Sequence, residues 1–269
     1  MQQDTLLLLA VYNSRRTRRA ELIRLFLKHG PRIAVRDVPW GIRLEHWRLA
    51  HRQLAAIESL GIEVIAGWRL AEIWGLSAAI PPLLFVCGAA DAIKKKGIGV
   101  VGARKASVSL GWAYEIGRRC SVHEFPVVSG GAVGVDSAAH WGAVDAKGLS
   151  VAYLGVAIDG IYPCDNRDLF EKIVSKGGAL ASEHAPGIRT LPYDHANRNR
   201  FITLQSKALV IAEASVKSGT LRTAQWAHRL GVPVWVSPNG VGGQRAGLNH
   251  LIQKQRARIL DDPNRLFCG

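Results

Sequence analysis

The chain has 269 residues, 48% of them apolar, with 35 Lys and Arg against 21 Asp and Glu for a formal net charge of +14. That length and composition support a full hydrophobic core and exclude collagen, low-complexity sequence and a disordered chain. The longest early apolar run, Leu6 to Val11, is far shorter than the roughly 20 residues a bilayer needs, and it follows Asp4 and precedes arginines, the reverse of a secretory leader, so a cytoplasmic chain with no membrane contact is expected.

In chain order, Leu22, Ile23, Phe26 and Leu27 recur at helical spacing with Arg18, Arg19, Arg24 and Lys28 around them, and Gly30-Pro31 ends that helix. A second helix fits Glu45 to Leu60 and a third Leu70 to Trp74. Pro81-Pro82 breaks any helix, which places a linker between Ser77 and Lys96. Residues 1–80 are read as a small basic helical domain and 81–269 as the main domain. From Gly97 the texture changes. Strands at Ile98–Val101, Pro126–Ser129, Ser150–Leu154, Ala179–Ser182, Ala208–Ala212 and Val232–Ser237 alternate with helices at Val108–Cys120, Asp136–Lys147, Asn166–Lys176, Arg200–Gln205, Thr220–Leu230 and Leu248–Arg256. Short, continuously apolar strands between helices predict βαβ units and an α/β fold: an extended Rossmann-like, doubly wound, mostly parallel sheet.

The positive charge favours polyanions, nucleic acid before membrane. It is unevenly placed: the net is +7 over residues 1–52, −3 over 53–93 and +10 over 94–269. Cys87, Cys120, Cys164 and Cys268 form no C-x-x-C pair, so reduced thiols and no metal site are expected.

Ligands of a doubly wound sheet bind at the carboxyl ends of its strands. Three loops there have the parts of a phosphate cradle: Gly102-Ala103-Arg104-Lys105-Ala106-Ser107, Ser129-Gly130-Gly131-Ala132-Val133-Gly134-Val135-Asp136 and Ser215-Val216-Lys217-Ser218-Gly219-Thr220. Glycine lets backbone approach an anion, the helix that follows aims N–H groups at it, and Arg104, Lys105 and Lys217 add full charges. Ser107, Asp136 and Ser218 also suit helix N-caps, so each loop alone has a purely structural alternative. In His195-Ala196-Asn197-Arg198-Asn199-Arg200-Phe201, Arg198 and Arg200 suit bidentate phosphate contacts, Asn197 and Asn199 suit bases or sugars, and Phe201 suits either a stack or the core. Asp194 and His195 are adjacent and are read as loop residues rather than an acid–base pair. No G-x-G-x-x-G or G-x-x-x-x-G-K-[ST] occurs, so no nucleotide cofactor is expected.

The ordered motifs Gly99-Val100-Val101-Gly102-Ala103-Arg104-Lys105-Ala106-Ser107, Val128-Ser129-Gly130-Gly131-Ala132-x-Gly134-Val135-Asp136-x-x-Ala139-His140, Ile161-Tyr162-Pro163, Ser182-Glu183, Arg198-Asn199-Arg200, Glu213-Ala214-x-x-x-Ser218-Gly219-Thr220-Leu221-x-Thr223-Ala224 and Gly247-Leu248-Asn249-x-Leu251-Ile252 resemble the DNA-processing protein A family. The resemblance runs from about Pro81 to Leu260. It implies a non-catalytic protein that binds single-stranded DNA in a basic pocket, a cytoplasmic homodimer that protects incoming strands, and transfer to the RecA recombinase in natural transformation. Mapped by motif, the resemblance implies Arg104, Lys105, Ser107, the loop of Ser129, Gly130, Gly131 and Gly134, Arg198 and Arg200 as strand-binding candidates, and the residue chemistry above adds Gly102, Asn197, Asn199 and Lys217. Asp136, His140, Ser218, Gly219 and Thr220 shape the pocket. Ala103 stands where the family has serine, no glycine follows Arg200 at the usual place, and Asn13-Ser14-Arg15-Arg16 stands where relatives often carry a glycine hairpin. A nucleotide phosphoribohydrolase of similar broad fold is the enzymatic alternative, but its glutamate three residues after the threonine is Thr223 here. A nucleoid or RNA-associated protein using the arginine-rich front is a third reading.

Overall fold

The computed structural model describes residues 2–14, 19–75, 79–106, 108–216, 218–240 and 246–267. Arg15, Arg16, Arg18, Ser77, Ser107, Lys217 and Cys268 therefore lie outside the described residues.

The front of the chain forms α1 (Gln2–Ser14), α2 (Arg19–His29), α3 (Leu44–Ser59), β1 (Glu63–Ala66) and α4 (Gly67–Trp74). The apolar stripe expected of α2 is buried at Leu22, Ile23 and Phe26, and Phe26 meets Trp68 of α4 edge-on at 5.8 Å. Arg24 and Lys28 lie on the outer side of that helix, so its pattern is explained by packing. Then come β2 (Leu83–Gly88), α5 (Asp91–Lys94), β3 (Gly97–Val101), α6 (Leu110–Val122), β4 (Val127–Ser129), α7 (Val135–Asp145), β5 (Ser150–Tyr153), α8 (Arg167–Ser175) and β6 (Ala179–Ser182). The last third holds α9 (Asp194–Asn197), α10 (Asn199–Gln205), β7 (Ser206–Ile211), α11 (Gly219–Arg229), β8 (Val234–Val236), α12 (Ala246–Gln253) and β9 (Arg258–Ile259).

All nine strands form one sheet in the order β1-β2-β6-β5-β4-β3-β7-β8-β9. Pairing is parallel from β6 to β9, and antiparallel where β2 joins β1 and β6. Alternation puts Val101, Val128, Val151, Leu209 and Ile211 on one face, under α10, α11 and α12. Ile98, Val100, Val127 and Val210 face α6 and α7 on the other. Each such side chain contributes roughly 1.5–3 kcal/mol on burial. The fold is thus the expected doubly wound α/β sheet.

Two expectations are corrected. The proposed linker is strand β2, whose Leu83, Leu84, Phe85 and Val86 are fully buried. The front is not wholly helical either, because β1 pairs with β2 from Glu63–Val86 to Ala66–Leu83. The sheet thus reaches back across the boundary expected at residue 80. A shared core reinforces the join, with Leu22, Phe26 and Ile57 in one cluster with Phe85, Ile158 and Ile188.

Candidate functional site

Strand order reverses at β3, which has β4 on one side and β7 on the other. The connections leaving β3 and β7 diverge there, and a crevice opens outside their carboxyl ends. Two adjoining cavities fill it. The larger, of about 360 Å³, is lined by Gly102, Arg104, Asp136, Asn199, Ser218, Gly219, Thr220 and Thr223 among others. The smaller adds Gly130, Val133, Gly155, Tyr162 and Pro163, and Arg104, Ala132, His195 and Arg198 line both.

The loops are locked to one another. The Thr220 hydroxyl donates to the Gly102 carbonyl at 3.1 Å, joining the start of α11 to the loop after β3. The Val135 N–H donates to the Ala103 carbonyl at 3.2 Å, joining that loop to the start of α7. Gly134 has φ +89°, and a Cβ there would stand 2.5 Å from the carbonyl oxygens of Ala103 and Arg104. Only glycine permits this approach. Asp136 closes the loop after β4: its Oδ2 accepts the N–H of Gly130 at 3.2 Å and of Ala132 at 3.4 Å. Burial pushes the Asp136 carboxyl up, opposed by the Arg198 charge and by those two N–H groups. Asn166 holds the neighbouring Gly131 through its carbonyl at 2.9 Å.

Arg198 is the central cation. It is 6% exposed, its Nη1 donates to the Tyr153 carbonyl at 2.8 Å and its Nε to the His195 carbonyl at 3.2 Å. Its guanidinium lies on Gly130 so closely that a Cβ there would overlap Nη1. Burial lowers the Arg198 pKa to about 10, opposed by Asp136, so the group stays cationic at neutral pH. Arg104 is exposed at the mouth. His195 is held below its usual range by burial and then by Arg198 and Arg104, which makes it neutral at pH 7. Its ring stands 5.0 Å from the exposed ring of Tyr162, giving the groove an aromatic rim. Ser218 brings a buried hydroxyl with no hydrogen-bond partner among the described residues, at the N-terminus of α11. The Arg104 and Arg198 guanidinium groups and the Ser218 hydroxyl meet around one opening, an arrangement suited to phosphate oxygens.

Not every expected residue is there. Arg200 is fully buried away from the groove, ion-paired with Glu183, with Nε donating to the Ala79 carbonyl at 2.9 Å and Nη1 to the Asn197 carbonyl at 2.5 Å. Its Nε, Nη1 and Nη2 all serve the interior, which corrects its reading as a phosphate contact. Ser129 is also buried, its hydroxyl spent on the Val100 carbonyl at 2.5 Å. His140 is buried against Ser150 at 2.6 Å, and Phe201 packs in the core against Tyr153. Neither lines the groove. Lys105 and Asn197 are exposed beside it without lining it. Asp194 opens helix α9 and accepts the Leu191 N–H at 2.7 Å, and His195 follows it in the same helix, which corrects their reading as loop residues. His195, Tyr162, Pro163 and Asn166 are the additions. The Ile161-Tyr162-Pro163 motif was the available signal for two of them; His195 sits three residues before Arg198, a spacing that one helical turn converts into contact.

Among the described residues no group of three potential metal ligands occurs, and no helix is long and apolar enough to cross a membrane. The sequence profile of DNA recombination-mediator protein A matches residues 69–268. The chain is 33% identical over 188 residues to the DNA processing protein DprA of Streptococcus pneumoniae strain R6, covering 70% of this chain and 65% of that one. Over 188 residues it is 32% identical to protein Smf of Escherichia coli K12, covering 70% and 50%. It spans about half the length of most of the curated relatives it matches. The crystal structure of the Streptococcus pneumoniae DprA matches 95% of this chain and 94% of its own at a TM-score of 0.74 and 26% identity. DNA processing protein A of Helicobacter pylori, described for its single-stranded DNA binding mode, shares the fold at a TM-score of 0.66 and 22% identity, over 77% of this chain and 94% of that one. With its doubly wound sheet, its glycine loops and three quarters of its length matched to one profile, the chain belongs to the DNA recombination-mediator protein A family.

Proposed function

We propose that the chain binds single-stranded DNA in the groove at the carboxyl ends of β3, β4 and β7, without catalysis, and mediates recombination by protecting strands. The observation that carries this is the convergence of three interlocked loops on Arg104 and Arg198. Phosphates fit the Arg104 and Arg198 guanidinium groups, and bases fit the Tyr162–His195 rim. Family membership supports a role in DNA recombination. In this proposal the strand-protecting form is a homodimer in the cytoplasm that delivers DNA to the RecA recombinase.

The non-catalytic reading has its own support. Asp136 is the one carboxylate among the described groove residues, and its Oδ2 is occupied by two backbone N–H groups. Thr223 lines the groove where an N-glycoside hydrolase would place its glutamate. Incubation with nucleoside monophosphates is expected to release no free base.

Gel-shift titrations of Arg104→Ala and Arg198→Ala test the site. Each is expected to weaken oligonucleotide binding and to flatten the log–log salt dependence by about 0.7 for every phosphate no longer neutralised. Unchanged affinity and slope in both variants would mean that the strand binds elsewhere on the protein.

A further inference from the structure

The groove takes up the carboxyl end of the parallel sheet only. The opposite edge lies roughly 16 Å away along the five residues of β3, at about 3.3 Å per residue. There the segments entering the strands carry cations. Lys95 and Lys96 precede β3, Lys147 precedes β5, Lys207 is the second residue of β7, Arg256 precedes β9 and Arg258 opens it. Because β5-β4-β3-β7-β8-β9 are parallel neighbours, Lys95, Lys96, Lys147, Lys207 and Arg256 fall in a row along one edge, whereas Arg258, in register through Trp235 and Val210 with Val100, stands further along the strands. Two cavities open on it: about 630 Å³ lined by Lys95, Lys96 and Lys147, and about 360 Å³ lined by Arg256 and Arg258. Glu124 is the one carboxylate among the described residues lining them.

Part of the cationic surface elsewhere is neutralised by neighbouring carboxylates. Lys94, Arg118, Arg119 and Arg265 are each paired with a nearby carboxylate. Lys95, Lys147, Arg256 and Arg258 are exposed and have no ion pair among the described residues. Lys96 and Lys207 are held in place at the edge: Lys96 Nζ donates to the Leu204 carbonyl at 2.6 Å, and Lys207 Nζ rests 4.4 Å over the Phe125 ring. Phe125 stacks on Phe267 at 5.9 Å, and Phe267 on the exposed His123 ring at 4.1 Å. Unpaired like charges in a row repel one another, and a bound polyanion relieves that repulsion. A flat aromatic stack beside the row suits bases of the same ligand.

We propose that this amino-end row is a second binding surface for the phosphate backbone of a single DNA strand, engaged by the flank of a strand whose other part lies in the groove. The identity of the polyanion rests on the function proposed above; the surface itself is separate from the groove. A strand that touches both edges must be longer than one that fills the groove.

The test compares wild type, Arg104→Ala and the triple variant Lys95→Gln, Lys147→Gln, Arg256→Gln on oligothymidylates of about 6 and about 40 nucleotides, titrated over salt. For the triple variant the expected result is unchanged affinity for the short strand and, for the long one, at least tenfold weaker binding with a salt slope smaller by about 2, or roughly 0.7 for each of the three charges removed. Lysine acetylation of wild type supplies a readout independent of substitution: the long strand should protect Lys95 and Lys147, and the short one should not. If the triple variant keeps the wild-type slope and neither lysine is protected, while Arg104→Ala still weakens both lengths, the row is only a solvated face and this inference is overturned. If wild type binds neither length, the groove reading and the inference fall together.

Discussion

The two edges of the parallel sheet hold positive charge in opposite ways. At the carboxyl edge the described groove cations are two guanidinium groups, and the loops fix their setting: Arg198 is held by the carbonyls of Tyr153 and His195 and seated on a glycine. At the amino edge five cations stand in a row, most of them exposed and unpaired. The first arrangement can recognise the geometry of a phosphate and its neighbouring base; the second supplies a field that a polyanion of any sequence feels. The same contrast recurs over two residues, since Arg198 lines the groove and Arg200 is sealed against Glu183.

That last contrast is the easiest to break. Arg200→Ala would strand the Glu183 carboxylate in the interior, at a cost of about 3–5 kcal/mol. Arg104→Ala, at the exposed mouth of the groove, should cost much less stability and chiefly affect binding. Urea unfolding of both variants checks this, and equal losses would erase the distinction between an interior arginine and a groove arginine.

His140 sharpens the picture of what the interior tolerates. Burial holds its imidazole at about 3, against an ordinary value of 6.5, so the unfolded chain binds a proton that the folded chain refuses. Stability should fall as pH drops from about 6.5 toward 3, by about 1.4 kcal/mol per pH unit from this group. Asp136, whose carboxyl burial pushes upward, acts with the opposite sign in the acid range. Unfolding midpoints at a series of pH values should slope in wild type and flatten in His140→Asn; an equal slope in both would clear His140 of the effect.

The smallest expected effect is at the rim. Tyr162 is 47% exposed, so Tyr162→Ala should leave stability unchanged and weaken single-strand binding by about 1–3 kcal/mol, the worth of one base stack. Fluorescence titration with oligothymidylate measures it. A loss confined to stability would make the ring structural.

The parallel half of the sheet was legible because its strands are short apolar runs set off by glycine turns, and the three cradle loops followed from where those strands end. What escaped depended on distant partners. Arg200 reads like Arg198 in sequence; its burial comes from Glu183, 17 residues earlier, and Ala79, 121 residues earlier. Strand β2 was hidden behind Pro81-Pro82, whose break signal fell just before a buried apolar run. Helix α1 was hidden because its Leu6–Leu9 run has no polar face to set a period. Strand β1 has only four residues and gains its identity from pairing with β2. In sequence His195 stands beside Asp194 as an adjacent pair, whereas the turn from His195 to Arg198 is what brings it to the groove.

Amide hydrogen exchange with and without a short oligothymidylate bears most directly on the groove. Slowed exchange is predicted in residues 102–106, 130–134 and 218–220 together, since these loops are bonded to one another around one opening. Protection that spares all three, or that appears only in the arginine-rich helices before residue 60, would contradict the assignment of the DNA site to this end of the sheet.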